Sequence, residues 1–320
     1  MSVFWGRVRY LNGVHMTLGS GAFSPLSSAV TERSPRIRPT LTTVTDVAQT
    51  ASEGSRKVSA DLRLSVLEPT ALEFQIAVAS VRGLTVDETV EFTVDGEPVR
   101  ARELIGPNNG RIHCFDAPRG SVRAAYRASV TGTAIPSPLN EFETSLYLRP
   151  SRYAETDKLF GFAAREFGTP DNRGELVRRV VEYVADLLDY VPGSSDPIDG
   201  AVDTLLSGTG VCRDYAHLVI ALLRALNVPA RLVAVYAPGC DPMDFHAIAE
   251  ALVDGRWQAV DATRLAPRQA MLRISTGRDS SDTAFLDNHG GAISLDHIEV
   301  SAIVEGDLPV DDPAQPVVLG

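Results

Sequence analysis

The sequence predicts an α+β protein, with an antiparallel β-rich domain first and a mixed helix-and-strand domain after it. Three observations carry this. Between Ser59 and Val130 apolar residues alternate with polar ones, at Leu62, Leu64 and Val66, at Leu72, Phe74, Ile76 and Val78, at Val90, Phe92 and Val94, and at Val122, Ala124, Tyr126, Ala128 and Val130. That period of two belongs to half-buried strands. After Cys212 the period changes: Tyr215, Leu218, Val219, Leu222, Leu223 and Leu226 recur at spacings of three and four, one face of an amphipathic helix. Finally, Asp254-Gly255 joins two apolar runs, His246 to Val253 and Arg256 to Asp261, and Asp-Gly in that setting signals a two-residue type I′ hairpin.

At the start of the chain, residues 1–57 are rich in Ser, Thr, Pro and Arg and hold seven basic against three acidic residues. Such a stretch buries too little apolar surface to offset its ordering entropy, so it is expected to be a mostly disordered extension, with a partner-binding arm weighed against the plainer reading of a dispensable extension or a misassigned start. Residues 58–140 form the β-rich domain, with a hairpin at Asp95-Gly96 and an edge position at Glu97-Pro98. Thr131 to Pro150, with three prolines, reads as a linker or crossing strand into a second domain, 141–305. There Thr156 is expected to cap a helix ending at Gly168, with Leu159, Ala163 and Phe167 inward. Asp171 to Leu188 is a second helix with Leu176, Val180, Tyr183, Val184 and Leu187 inward. The Cys212 helix is stopped by Asn227 and Pro229, and Ala230 to Ala237 is a buried strand. Residues 306–320 are read as a C-terminal tail.

Composition bounds the function. With 320 residues, 44% hydrophobic, the chain can bury a full core and hold two domains. A net charge of −11 disfavours nucleic acid and anionic membrane as partners, since phosphate neutralisation needs clustered Lys and Arg. Three scattered cysteines, Cys114, Cys212 and Cys240, make no disulfide framework and suit a reducing compartment. No apolar run approaches a membrane span and no secretory h-region opens the chain, so the expected location is cytoplasmic.

The chemistry concentrates around Cys212. A cysteine after the glycine-rich turn Ser207-Gly208-Thr209-Gly210-Val211 and at a helix start sits among unpartnered backbone N–H groups at the positive end of the helix dipole. That position stabilises thiolate over thiol and offers an N–H to an oxyanion. Counting outward from the Asp254-Gly255 turn puts Val253 opposite Arg256, Ile248 opposite Asp261 and His246 opposite Thr263. His246 and Asp261 are then diagonal neighbours on one face, roughly 7 to 8 Å apart at Cβ, within reach of an imidazole and a carboxylate. A one-residue slip would separate them onto opposite faces. Taken singly, each has an ordinary explanation: a small buried hydrophobe, a strand histidine, a strand-end carboxylate. Three further residues are weighed for an oxyanion or substrate-cleft role. Tyr190 sits on a turn upstream of the nucleophile, Asp214 in the first turn of the helix, and His217 beyond it. For Asp214 a dipole or backbone partner is the simpler role, and for His217 and Trp257 packing is. Four zinc ligands, Cys212, His217, Cys240 and His246, are disfavoured because their spacings do not match the short pairs of structural sites.

The sequence resembles the transglutaminase-like superfamily of cysteine enzymes, in the bacterial branch with an N-terminal β-domain and a papain-like core. Carrying the resemblance are Gly-Thr-Gly-Val-Cys212-Arg-Asp-Tyr-Ala-His, then His246-Ala-Ile-Ala-Glu, then Gly-Arg-Trp257-Gln-Ala-Val-Asp261-Ala-Thr. Leu-Arg-Pro-Ser151-Arg152-Tyr153 and Thr276-Gly-Arg-Asp-Ser-Ser-Asp-Thr-Ala-Phe285 reinforce it. One departure is Ile248, where the family usually carries an aromatic residue. The resemblance implies a nucleophile at Cys212, a base at His246 and its partner at Asp261, acting on amide bonds of a protein or peptide substrate without cofactor or metal. Water as acceptor would make a peptidase or amidase, an amine a transglutaminase. The alternative is a non-catalytic peptide-binding module on the same fold.

Overall fold

The structure, a computed structural model, describes residues 54–168 and 172–319. The expectations for residues 1–53 and for Asp171 fall outside the described residues. The N-terminal part is built from strands β1 (Arg56–Val66), β2 (Thr70–Phe74), β3 (Leu84–Val94), β4 (Glu97–Pro98), β5 (Arg102–Ile105), β6 (Arg111–Ala117) and β7 (Gly120–Gly132). The helices and strands of the second part are α1 (Glu141–Leu146), α2 (Thr156–Phe167), α3 (Arg173–Leu187), β8 (Asp189–Tyr190), α4 (Ala201–Ser207), β9 (Thr209–Gly210), α5 (Cys212–Ala225), β10 (Ala230–Tyr236), β11 (His246–Val253), β12 (Arg256–Val260) and β13 (Leu272–Gly277). Two more strands come last, β14 (Leu286–Gly290) and β15 (Ile293–Val304).

Two antiparallel sheets form the β-rich part, in the orders β15-β1-β7-β3-β4 and β14-β2-β6-β5. Alternation does what it predicts: Val58, Ala60, Leu62, Leu64 and Val66 of β1 are buried, while the residues between them are not. The sheets meet through an aromatic cluster in which the Phe74 and Phe92 rings lie 5.3 Å apart, with Phe115 5.4 Å from Phe92. Strand β1 starts at Arg56, two residues ahead of the expected boundary, and Arg56 Nη2 donates to Gly132 O at 2.9 Å.

The last 35 residues depart from the sequence reading. Strands β14 and β15, assigned by sequence to the second domain, pair antiparallel with β2 and β1 and complete the N-terminal sheets. The expected tail also contributes to a core: Val317 and Leu319 are buried with Val233, Val235, Ile248 and Met271. The Ala259 N–H donates to Val317 O at 2.8 Å, covering the open edge of β12. Within the expected linker the short helix α1 appears, with Asn140 Oδ1 accepting from Phe142 N–H at its start. Thr156 is the first residue of α2, not its cap; Gly168, at φ 64, ends it as expected.

The site rests on the sheet β12-β11-β10-β13, with α5 lying on it. Every residue of β10 and β11 is buried. Ala247, Ala249 and Ala251 join the core cluster of α5, and their small side chains allow close approach of the helix. Ile248 belongs to the opposite cluster with the C-terminal segment. Tyr236 Oη donates to Ile76 O at 2.7 Å and the Ala79 N–H to Arg273 O at 2.8 Å, tying this sheet to the β-rich part.

Candidate active site

The glycine-rich approach to Cys212 is built backbone on backbone. Gly208, at φ 69, ends α4 in the left-handed conformation, and Thr209-Gly210 then runs parallel to Asp189-Tyr190. A Cβ at Gly210 would lie 2.7 Å from Asp214 Cβ, so glycine is required for the chain to pass the first turn of α5. The Asp214 carboxylate reaches back to the Val211 N–H at 2.8 Å and accepts from Ser195 Oγ at 2.9 Å. Asp214 therefore caps the helix that Cys212 opens and anchors the 191–199 loop instead of facing the cleft. Burial holds its carboxyl above the usual range, although the Val211 N–H favours the ionised form.

Cys212 opens α5 and is 4% exposed. Its backbone N–H donates to the Tyr190 hydroxyl. Burial, with Cys212 and Cys240 nearby, pushes the Tyr190 phenol far above its ordinary range, so it remains protonated. The tyrosine read from sequence as an oxyanion or substrate contact thus sits on the N–H that an oxyanion would use.

The hairpin has the expected turn and register. Asp254 and Gly255 lie at φ 49 and 74, Val253 pairs with Arg256, and Ala249 with Val260. Extending that register sets Ile248 against Asp261. His246 Nε2 lies 2.8 Å from Asp261 Oδ2, leaving Nδ1 as the ring nitrogen for the Cys212 side chain, which hydrogen-bonds the same imidazole. Asp261 Oδ1 accepts from the Thr263 N–H at 2.9 Å and from Thr263 Oγ1 at 2.8 Å. Burial alone would depress the His246 pKa, but the charge and hydrogen bond of Asp261, with Cys212, hold it well above the usual value. Burial likewise opposes ionisation of Asp261, and His246 and Thr263 overcome it, keeping this carboxyl below its ordinary range. The two directions agree and describe an imidazolium–carboxylate pair.

Burial pushes Cys114 and Cys240 up, although His246 partly offsets this at Cys240. All three cysteines are free. Among the described residues no group of three or more His, Cys, Asp or Glu side chains is arranged to hold a metal ion, and no helix is long and apolar enough to cross a membrane.

His217 makes its contacts elsewhere than with His246 and Asp261. It is completely buried, stacks on Tyr153 with centroids 5.3 Å apart, and accepts from the Ser280 N–H at 3.1 Å. Burial depresses its pKa to about 3, so it stays neutral. Trp257 meets Tyr147 edge-on and lies under the Arg231 guanidinium at 4.1 Å. What sequence reasoning missed is the clamp behind the site. Arg224, 1% exposed, donates to the carbonyls of Ala230, Arg149 and Arg278 and to Ser151 Oγ, at 2.7 to 3.1 Å. Asp279 accepts from the Tyr153 N–H at 2.8 Å. These bonds gather the Ser151-Arg152-Tyr153 and Arg278-Asp279 segments onto α5, which explains why both segments belong to the recognised pattern. Arginine on the inward face of a helix was the available signal.

Residues 162–262, from the middle of α2 to Ala262, match the family model of the transglutaminase-like superfamily. A candidate cysteine protease of Cytophaga hutchinsonii has a similar structure, with a TM-score of 0.73 and 29% identity over 81% of this chain and 93% of that one. An uncharacterized protein of Mycobacterium leprae is 26% identical over 145 residues, 43% of this chain and 52% of that protein, so the match spans about half the relative's length. The periplasmic domain of TgpA from Pseudomonas aeruginosa covers 68% of this chain and 92% of its own, at 16% identity and a TM-score of 0.39. Fold and site together define a cysteine-type enzyme class on an α+β scaffold. Residues 162–262 form a transglutaminase-like superfamily domain.

Proposed function

We propose that the protein is a thiol-dependent acyl-transfer enzyme that cleaves or transfers amide bonds of a protein or peptide, at the backbone or a glutamine side chain. The observation that supports this most is the buried chain of contacts from Cys212 through the His246 imidazole to Asp261 Oδ2 at the start of α5. In this reading the Cys212 thiolate attacks the amide carbonyl carbon, forming the C–S bond and an oxyanion. The C–N bond then breaks as the amine leaves with a proton from His246, giving a thioester. The acceptor loses its proton to His246 and attacks the thioester, releasing the thiolate. Asp261 fixes the tautomer and stabilises the imidazolium. The substrate oxygen displaces the Tyr190 hydroxyl from the Cys212 N–H, and Tyr190 Oη–H then donates beside it. Likeness to a candidate cysteine protease favours water as acceptor. The compartment in this reading is the cytoplasm, where three free thiols persist.

The test is to incubate the protein with a mixed peptide library, with and without a primary alkylamine, and to follow new termini, amine adducts and a thioester on Cys212 by mass spectrometry. Turnover that vanishes in Cys212→Ala is expected. Absence of Cys212-dependent turnover, together with iodoacetamide labelling no faster at Cys212 than at Cys114 and Cys240, would reject the enzyme and leave a peptide-binding module.

A further inference from the structure

Arg264 stands apart on backbone geometry. Among the described residues six non-glycine positions have positive φ, and five of them are Asp95, Asn108, Asn109, Asn227 and Asp254, whose short polar side chains tolerate that region. The sixth is Arg264, at φ 55, where turn chemistry offers no reason for an arginine. It lies three residues beyond Asp261, and both line a cleft of about 300 Å³ between α3, β12 and residues 311–316.

Among the described residues, every charged side chain lining this cleft has an ionic partner except one. Arg178 holds Glu175 and Glu182, each at 2.6 Å. Arg268 is saturated by Asp311 at 2.9 Å and by the carbonyls of Ala259, Asp312 and Gln315. Asp261 is taken by His246 and Thr263. The exposed guanidinium of Arg264 has no ion-pair or hydrogen-bond partner among the described residues, while Val177, Val181, Val253 and Val260 give the cleft an aliphatic wall.

We propose that this cleft binds a ligand bearing a carboxylate and a small aliphatic body, such as the end of a peptide chain, with Arg264 as its anchor. A free guanidinium over an apolar wall fits such a group through a two-point, charge-assisted contact. Backbone strain of this kind persists at sites where a side chain must be aimed. Binding stands independently of the acyl-transfer reading. What rests on that reading is the consequence that the ligand sits beside the carboxylate orienting His246.

Thermal melts of the full chain test this with acetyl-Ala-Ala carrying a free carboxylate, with its C-terminal amide, and with the α-amide of acetyl-glutamate. The free carboxylate should raise Tm saturably, as a ligand of the native state does, and the C-terminal amide should not. A shift with the glutamate derivative equal to that with acetyl-Ala-Ala assigns the recognised group to a side chain; a smaller one assigns it to a chain end. R264Q should abolish the shift and R264K keep part of it, while C212A should leave it unchanged. R264G should raise the ligand-free Tm by relieving the backbone and still lose the shift. No saturable shift in the natural protein, an equal shift with the C-terminal amide, or a full shift in R264Q overturns the proposal. So does a fall in ligand-free Tm for R264G. Because the melt reads binding without turnover, none of these results bears on Cys212 chemistry.

Discussion

Replacing Asp261 by Asn removes one charge and no volume, and the local hydrogen bonds dictate how the site responds. Asp261 Oδ1 is held by two donors, the Thr263 N–H and Oγ1, so the amide oxygen of the variant keeps that position and its NH2 turns to His246 Nε2. A donor facing Nε2 forces the imidazole to carry its proton on Nδ1, the nitrogen turned to Cys212, and that tautomer takes no proton from the thiol. The electrostatic loss has the same sign. A charge pair near 4 Å in an effective dielectric of about 20 is worth ~4 kcal/mol, which corresponds to about three decades in rate. With the carboxylate gone, burial becomes the main influence on His246 and drives its pKa below the usual value instead of above it. We expect Asp261→Asn to slow turnover, and alkylation of Cys212 by iodoacetamide at neutral pH, by roughly 10²- to 10⁴-fold, and to move the alkylation profile to higher pH. Peptide mapping after timed labelling reads this directly, with Cys114 and Cys240 as internal controls. An alkylation rate and pH profile like those of the natural protein would refute the reasoning and assign the imidazole another partner.

Three further outcomes are expected. Cys212→Ala and His246→Ala should each remove nearly all turnover, and the double variant should be no worse than either, because the two act as one unit; additive losses in kcat/KM would contradict this. Glu250→Leu leaves the guanidiniums of Arg231 and Arg273, bound at 2.7 Å each, buried without their carboxylate, and should cost about 3–5 kcal/mol in a denaturant titration. Burial would raise the Glu250 pKa, but the two arginines hold it down to about 2, so its contribution is present above the ordinary carboxyl range and is lost as pH falls toward 2; acid melts of Glu250→Gln should lack that dependence. Arg224→Met, which strands three backbone carbonyls and Ser151 Oγ, should lower stability by about 2–4 kcal/mol and loosen the 149–153 and 278–279 segments in hydrogen exchange.

The grouping of Cys212, His246 and Asp261 was legible because local rules fix it. Asp-Gly sets the turn, the turn sets the register, and the register delivers His246 to Asp261; the glycines before Cys212 set the helix start in the same way. Alternation at Leu62 to Val66 and Val122 to Val130 likewise gave β1 and β7. Less legible were features settled by distant partners. Ile293 to Val304 reads as one more strand after a catalytic domain, and only β1 decides where it goes. Val317 and Leu319 sit in a short apolar run whose burial depends on Val233, Val235 and Met271. His217 carries no mark in sequence that separates a stacked core histidine from a cleft wall, and the Arg264 backbone lies in a region that propensity assigns to glycine or asparagine.

The pairing of β1 with β15 has a consequence for synthesis. Lys57 is matched to Ile303 and Leu62 to Ile298, so the first strand waits for a partner made more than two hundred residues later. As the chain leaves the ribosome, the segment bearing Cys212, His246 and Asp261 emerges before the scaffold beneath it can close. Joining segments so far apart is slow, and the sheet that holds β1 and β15 is the last that the growing chain can complete. A chain cut short before Ile293 would still carry Cys212, His246 and Asp261 but would leave one edge of β1 without its partner strand.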